Sequence, residues 1–396
     1  MNSKKIMKVK FIAYLLIITL SLIVLNFGCN FLIHHIYQTS IYSSDYQEMK
    51  LKFYKDKDKK QYVHPYFGFA STKDKIFESK IGNDNIFYAI DRAGVTDEIK
   101  VLIIGGSVAA YLSKNEGNRE HFKNSIFYHE LNRAFKTQRF SIYNAAFGGG
   151  KQPQNYFKLV YLDLLGFKPD LVINIDGFNE IALNLSDNYD ASILPLYPRS
   201  FNRAIARTAL DKHCMFSSFL SQSNSKIPLI ELISLIYLNK CHNDINLSAK
   251  DKPYWSSSNL SYDDYVEQSI NLWAESSNQT DYFLRKKNIP YIHVIQPNQY
   301  FPDSKKLSKE EVKNYLSFPY YGKHIEMYYD RLKTNDLTAK NVSDLRYLFL
   351  DERRTTYSDN CCHLNDLGNK LMIEKIISDH YKLFKYLIFK KNINSE

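Results

Sequence analysis

The sequence has few cysteines, few tryptophans and no nucleic-acid motif. Five cysteines and two tryptophans occur in 396 residues, without zinc-ligand spacing and without an RNP-like aromatic pattern. The net charge of +10 therefore does not predict nucleic acid as a partner, because attraction to anionic lipid or polysaccharide accounts for a modestly basic chain. Hydrophobic residues make up 44% and charged residues 24%, which argues against disorder outside the ends.

A single long apolar run, from residue 11 to 36, follows four lysines within the first ten residues. About 20 apolar residues can cross a bilayer as a helix, and the basic end stays cytoplasmic. We expect residues 1–36 to be a cytoplasmic stub and an uncleaved transmembrane anchor. The protein would then be single-pass in the cytoplasmic membrane, with its main domain facing the periplasm or the exterior. A cleaved signal peptide is an alternative, but no A-x-A cleavage site follows the apolar run. Lipidation at Cys29 is another, although Asn26 stands where a Leu-like residue is wanted.

Four cysteines lie beyond the apolar run. Cys214 and Cys241 flank one segment and could pair if the domain faces an oxidising compartment, and free thiols are the alternative. Cys361, Cys362 and His363 are consecutive. Adjacent cysteines chelate metals less well than the usual C-x₂₋₄-C spacing, so we predict no metal and no cofactor.

Beyond the anchor, residues 37–95 are polar and aromatic and are predicted to form a stalk and lead-in segment. Buried strands alternate with helical patterns over residues 96–390, which indicates βαβ units and a parallel sheet. Insertions interrupt this domain at about 186–262 and 301–343. The predicted strands are 101–107, 140–147, 170–177, 289–297 and 345–351, and the predicted helices are 121–136, 153–166, 263–286 and one that Asn365 caps.

Four short motifs follow these strands or precede the last helix. Ligands bind beyond the carboxyl ends of strands in open parallel sheets, so the motifs are expected to lie close together. Each of them alone is typical of an ordinary turn. They are GGSV at 105–108, NAAFGGG at 144–150, GFNE at 177–180 and DNCCHLN at 359–365.

In this order the motifs resemble the blocks of the SGNH hydrolases, also called GDSL-like esterases and lipases, over residues 98–183 and 289–385. The resemblance implies a three-layer α/β/α, flavodoxin-like fold with a parallel central sheet. It also implies that Ser107 is the nucleophile and His363 its base. The backbone N–H groups of Ser107 and Gly149 and the side chain of Asn179 would form the oxyanion hole. The family's Asn, Gly, Gln spacing favours Gly149 over Gly148.

Two blocks depart from the family pattern. The third block reads GFNE where the family has G-x-N-D. In the last block, the residue three before His363 is Asn360, whereas the family has Asp. Either the loop shifts by one residue so that Asp359 orients His363, or Asn360 holds the ring without supplying charge. We favour Asp359, because neutral replacements in serine-protease triads cost about 10⁴ in rate.

The resemblance implies three functions. The first is a serine esterase that acts outside the cytoplasmic membrane on an acylated, for example O-acetylated, glycan or lipid. The second is an acyltransferase that modifies a cell-envelope polysaccharide with the help of a membrane partner. The third is a degenerate domain that binds glycan or scaffolds an envelope complex.

Overall fold

The computed structural model describes residues 98–112, 125–137, 139–199, 259–315 and 319–393, with shorter pieces at 61–64, 68–71, 201 and 256–257 and parts of 14–35 and 228–236. The chain divides into two compact units. One comprises Met1–Lys60 and Asn202–Pro253, and the other comprises Gln61–Phe201 and Tyr254–Glu396. The predicted domain boundaries stay predictions.

In the first unit, the described residues between 14 and 35 and between 228 and 236 are helical. Among the described residues, none belongs to a helix with the length and apolar character needed to cross a bilayer. The remainder of the predicted anchor at 11–36, most of the predicted stalk, and Cys214 and Cys241 lie outside the described residues.

The second unit contains a five-stranded parallel sheet. Its spatial order is β4-β3-β5-β6-β7, which is the flavodoxin-like order 2-1-3-4-5 when the strands are counted along the chain. A separate antiparallel pair, β1 and β2, precedes the sheet. The strands are β1 Gln61–His64, β2 Gly68–Ser71, β3 Ile99–Gly105, β4 Phe140–Asn144, β5 Leu171–Asp176, β6 Tyr291–Ile295 and β7 Asn341–Asp344.

Helices cover both faces of this sheet because its central strands are apolar on both sides. Val101 and Ile103 pack in one hydrophobic cluster with the helices Ile126–Phe135, Asp366–Asp379 and Tyr381–Ile393. Leu102 and Ile104 pack in another with the helix Gln154–Leu164 and the end of the helix Tyr262–Lys286. The predicted parallel three-layer α/β architecture is therefore confirmed. The helices are α1 Ser107–Leu112, α2 Ile126–Phe135, α3 Gln154–Leu164, α4 Phe178–Leu183, α5 Tyr262–Lys286, α6 Lys309–Tyr315, α7 Pro319–Tyr328, α8 Asp366–Asp379 and α9 Tyr381–Ile393.

One predicted strand is wrong. Residues 346–350 form turns, and the edge strand β7 lies just before them, at Asn341–Asp344. The apolar side chains of Leu345 and Phe349 resemble a strand pattern, but they enter the core from consecutive turns. β7 itself is short and polar, because only one of its sides pairs with a neighbouring strand.

A helix cap fixes the segment that follows His363. Asn365 Oδ1 accepts the Gly368 N–H at 2.9 Å, so α8 begins immediately after the cap, as predicted. Met372, Ile373 and Ile376 of α8 are buried in the core. His363 therefore precedes a helix that is anchored at its first turn and along its length.

Candidate active site

Ser107 follows two glycines at the end of β3 and opens α1. Gly105 has a φ of +140°, and a Cβ there would lie 2.1 Å from the backbone oxygen of Ile175. A Cβ on Gly106 would lie 2.2 Å from Asn179 Nδ2. Only glycine permits such close approaches, so this turn brings the Asn179 amide directly against the backbone that precedes Ser107.

His363 meets Ser107 across the carboxyl edge of the sheet. Its Nε2 lies 2.8 Å from Ser107 Oγ, within the range of a good hydrogen bond. The Tyr111 ring contacts the imidazole edge-on, with ring centroids 5.0 Å apart. These contacts hold the imidazole in the position that a base for the Ser107 hydroxyl requires.

The other ring nitrogen, Nδ1, is hydrogen-bonded to Asp359 Oδ2. Asp359 Oδ1 accepts the backbone N–H groups of Cys361, Cys362 and His363 at 2.9, 3.1 and 3.2 Å. Burial alone would raise the pKa of the Asp359 carboxyl, but the His363 ring and these N–H donors lower it below its ordinary value. The carboxylate therefore stays ionised beside the imidazole.

The loop that carries Asp359 is held by the segment after β6. Gln299 Nε2 donates to the Asp359 carbonyl at 2.9 Å, and the Tyr300 hydroxyl donates to the Asn360 carbonyl. Of the two residues predicted to orient His363, it is thus Asp359 whose side chain reaches the ring. Asn360 meets Tyr300 through its backbone.

The two predicted partners of Ser107 on other loops also converge here. Asn179 Nδ2 donates to the Gly150 carbonyl at 2.6 Å, and Phe147 N–H donates to the Gly105 carbonyl at 3.2 Å. These bonds hold the 147–150 loop and the 177–180 turn against the end of β3.

The backbone N–H groups of Ser107 and Gly149 lie on these converging loops. Within the described part of the chain, neither donates a hydrogen bond to a protein acceptor. Gly149 has a φ of +76°, a conformation that favours glycine. Both groups are therefore free to donate to a ligand, which an oxyanion hole requires.

A buried carboxyl clamps two of these loops together, and the sequence did not predict it. Glu180 Oε1 accepts the Gln152 N–H and its Oε2 accepts the Gly177 N–H, both at 2.8 Å. Burial and the nearby Asp176 raise the pKa of Glu180 to about 8. Burial also lowers the pKa of Lys151 to about 7, although the charge of Glu180 opposes that change.

Asp176, at the end of β5, forms the centre of a second buried network. Its Oδ1 accepts from Trp273 Nε1 and His293 Nε2, both at 2.8 Å, and its Oδ2 accepts from Gln152 Nε2 at 3.0 Å. Burial opposes ionisation, yet His293 lowers the pKa of Asp176. An acidic residue that ends a buried strand was the sequence signal for this network.

Cys361, Cys362 and His363 present three ligand atoms within 4.8 Å of one another. This is the only such cluster within the described residues. Both nitrogens of the His363 ring already face protein groups, Ser107 and Asp359. A metal ion could bind through the ring only by displacing one of them.

Comparison with known proteins places no family name on the chain. No protein-family model matches it, and no curated protein sequence matches it. Solved structures that resemble it weakly include a proposed acylhydrolase from Bacteroides fragilis (10% identity, 75% of this chain and 95% of that one, TM-score 0.35), a proposed GDSL-like lipase from Parabacteroides merdae (10%, 72% and 97%, 0.32) and an α/β hydrolase from the Lake Arreo metagenome (13%, 71% and 94%, 0.31). TM-scores this low do not establish an activity for this chain.

Proposed function

We propose that the protein is a serine ester hydrolase. The observation that carries the proposal is the chain of contacts from Asp359 through His363 to Ser107, with 2.8 Å between His363 Nε2 and Ser107 Oγ. A base within hydrogen-bonding reach of a hydroxyl, and itself oriented by a third group, is the arrangement that activates a nucleophile.

The reaction proceeds in two stages. His363 takes the Ser107 proton while Oγ attacks the ester carbonyl, and the charge of Asp359 stabilises the imidazolium that forms. The N–H groups of Ser107 and Gly149 and the amide of Asn179 donate to the developing oxyanion. His363 then returns the proton to the departing alcohol. Water, activated by the same imidazole, releases the acid and restores Ser107.

A second, more specific proposal concerns the substrate of the enzyme and its cellular location. We propose that the N-terminal apolar run holds the enzyme in the cytoplasmic membrane, with the hydrolase domain outside, and that its substrate is an acylated, for example O-acetylated, glycan or lipid. The lysines before residue 11 and the apolar run itself support this orientation. Transfer of the acyl group to a polysaccharide hydroxyl uses the same acyl-enzyme and differs only in the final acceptor.

The test uses the full chain in detergent micelles. Wild type should hydrolyse p-nitrophenyl acetate and react with a fluorophosphonate probe at Ser107, and Ser107→Ala should lose both properties. Ser378→Ala, which changes an exposed serine on α8, is the matched control and should keep both. Equal turnover by wild type and Ser107→Ala would remove the proposal. Faster release of p-nitrophenol with an added sugar acceptor, together with acylated sugar as product, would favour transfer.

A further inference from the structure

The two cysteines beside the candidate base lie unusually close to each other. Cys361 Sγ and Cys362 Sγ are 3.0 Å apart, and both are free thiols. Cys362 is buried at 1% exposure, whereas Cys361 is partly exposed. The mechanism above uses neither side chain, so their position next to His363 calls for an account of its own.

We propose that Cys361 and Cys362 form a redox modification site, at which a small external disulfide oxidises the two thiols to a disulfide between adjacent residues. This bond would inactivate the adjoining Ser107–His363–Asp359 site. The inactivation rests on the proposed esterase function, whereas the formation of the bond does not.

The oxidation is a pair of thiol–disulfide exchanges. The partly exposed Cys361 attacks the external disulfide as a thiolate, forms a mixed disulfide and releases one small thiolate. Cys362 then attacks Cys361 Sγ and expels the second small thiolate. Each released thiolate takes up one proton, so the protein loses two hydrogens and the external disulfide is reduced to two thiols.

The position of Cys362, 3.0 Å from Cys361 Sγ, suits it to the second step. Burial, together with the neighbouring Cys361 thiol, raises the pKa of Cys362 well above its usual value, and a hydrogen bond with Ser107 opposes that rise. Once Cys361 is held in a mixed disulfide, its thiol no longer contributes to the rise. Burial still raises its pKa, so the attack depends on the 3.0 Å approach of the two sulfurs rather than on ready formation of a thiolate.

The disulfide would be easy to reverse. Adjacent Cα atoms lie about 3.8 Å apart across a trans peptide, whereas ordinary disulfides join Cα atoms at about 4.4 to 6.8 Å. The ring between neighbouring cysteines is therefore strained. Strained disulfides are more readily reduced and belong to the labile, regulatory class.

Oxidation would reach the catalytic groups through Asp359. Closing the ring rotates the peptide group between the two cysteines, which carries the Cys362 N–H that donates to Asp359 Oδ1 at 3.1 Å. The same carboxylate orients His363 through its other oxygen. A misplacement of about 1 Å in a catalytic group can cost on the order of 100-fold in rate.

A metal site is the competing interpretation of the same cluster. Two thiolates on one zinc ion at about 2.3 Å stand about 3.8 Å apart in tetrahedral geometry, whereas a disulfide holds its sulfurs about 2.05 Å apart. The 3.0 Å between these two sulfurs lies between the two values, so the His363 ligand decides between them. The third ligand would be a His363 nitrogen that already faces Ser107 or Asp359. The contacts therefore favour the dithiol chemistry.

The experiment uses the full chain with Cys29, Cys214 and Cys241 replaced by serine, so that only the adjacent pair remains. The protein is equilibrated in glutathione buffers of graded oxidation with EDTA present, and free thiols are then alkylated. Trypsin cleaves after Arg354 and Lys370, which isolates both cysteines in the peptide 355–370. We expect this peptide to lose two hydrogens while p-nitrophenyl acetate turnover falls about 100-fold, and both changes to reverse with dithiothreitol.

The matched control adds Cys361→Ser to the same background. It should keep basal turnover and lose its sensitivity to oxidation. A peptide that carries only a glutathione adduct would overturn the proposal, as would full turnover by the oxidised pair. So would inhibition that appears only when zinc ions are added in place of EDTA and that leaves both thiols titratable. Two-hydrogen loss in a chain that never hydrolyses esters would instead count against the esterase function.

Discussion

The Asp359 carboxylate binds His363 at two places, with Oδ2 at the ring nitrogen Nδ1 and Oδ1 at the backbone N–H. One side chain therefore sets both the orientation of the imidazole and the turn from which it projects. His363 lies four positions after Asp359, and this spacing follows from the turn, because Oδ1 also accepts two of the three N–H groups between them, those of Cys361 and Cys362.

Asp359→Asn should lower kcat by about 10⁴-fold, because an amide cannot stabilise the imidazolium that forms during attack. Asn360→Ala is the matched control, since Asn360 meets Tyr300 through its backbone carbonyl, and its kcat should stay within a few-fold of wild type. Steady-state hydrolysis of p-nitrophenyl acetate by both variants decides the matter. A larger loss of kcat in Asn360→Ala than in Asp359→Asn would show that Asn360, not Asp359, orients His363.

Asn179→Ala should reduce kcat by about 100-fold to 1,000-fold with little change in KM, as expected when one oxyanion donor is removed. Asn179 also donates to the Gly150 carbonyl, so a thermal unfolding curve should accompany the kinetics. Unchanged kcat in a variant with wild-type unfolding would exclude the amide from the oxyanion hole.

Gly106→Ala and Gly148→Ala together distinguish the effect of a steric clash with Asn179 from the effect of replacing a nearby glycine. A methyl group on Gly106 would come within 2.2 Å of Asn179 Nδ2, whereas one on Gly148 meets nothing within 4 Å. Displacing the amide by about 1 Å should cost on the order of 100-fold in kcat, and the Gly148 variant should match wild type. Equal activities in ester hydrolysis would mean that the Asn179 amide is not needed where it lies.

Glu180→Gln should lower the free energy of unfolding by about 1–3 kcal/mol. Glutamine has one acceptor oxygen where Glu180 has two, so its amide nitrogen would face one of the N–H groups of Gln152 and Gly177 without accepting a hydrogen bond from it. Urea denaturation measures the difference. A variant as stable as wild type would show that the clamp contributes nothing.

The pH dependence of that stability tests the protonation of Glu180. Because its pKa is raised from 4.5 to about 8, the folded protein holds this proton more tightly than the unfolded chain. The stability of wild type relative to Glu180→Gln should therefore fall as pH rises through this interval. Measurements between about pH 5 and 7 avoid the opposite slope from Lys151. Its pKa is lowered to about 7, so below that pH it is protonated in the folded and the unfolded chain, and its effect on stability changes with pH only above that range. A constant difference would contradict the raised pKa.

Sequence patterns were enough to locate the converging loops, and the reason is physical. Strands β3 and β5 are apolar on both faces and end in glycine or acidic residues, so their boundaries are visible in the sequence. Ser107 and Asn179 follow these two boundaries within three residues, whereas Gly149 lies five residues after β4, which ends at Asn144. The contact of His363 with Ser107 was an expectation from family resemblance, and the structure brings the two together.

Other features depend on partners far away in the chain. The turn around Asp359 is held by Gln299 and Tyr300, 60 residues earlier, and no local pattern near Asp359 reveals them. Strand β7 is polar and pairs on one side only, so its pattern does not stand out beside the apolar residues that follow it. The Glu180 clamp acts on backbone groups, which leave no side-chain signature.

The bond between Ser107 and His363 joins residues that are 256 positions apart. During synthesis on the ribosome, Ser107, the 147–150 loop and the 177–180 turn emerge long before His363 and helix α8. A nascent chain therefore carries an unassisted hydroxyl, and the reactive pair is assembled only when the final helices dock.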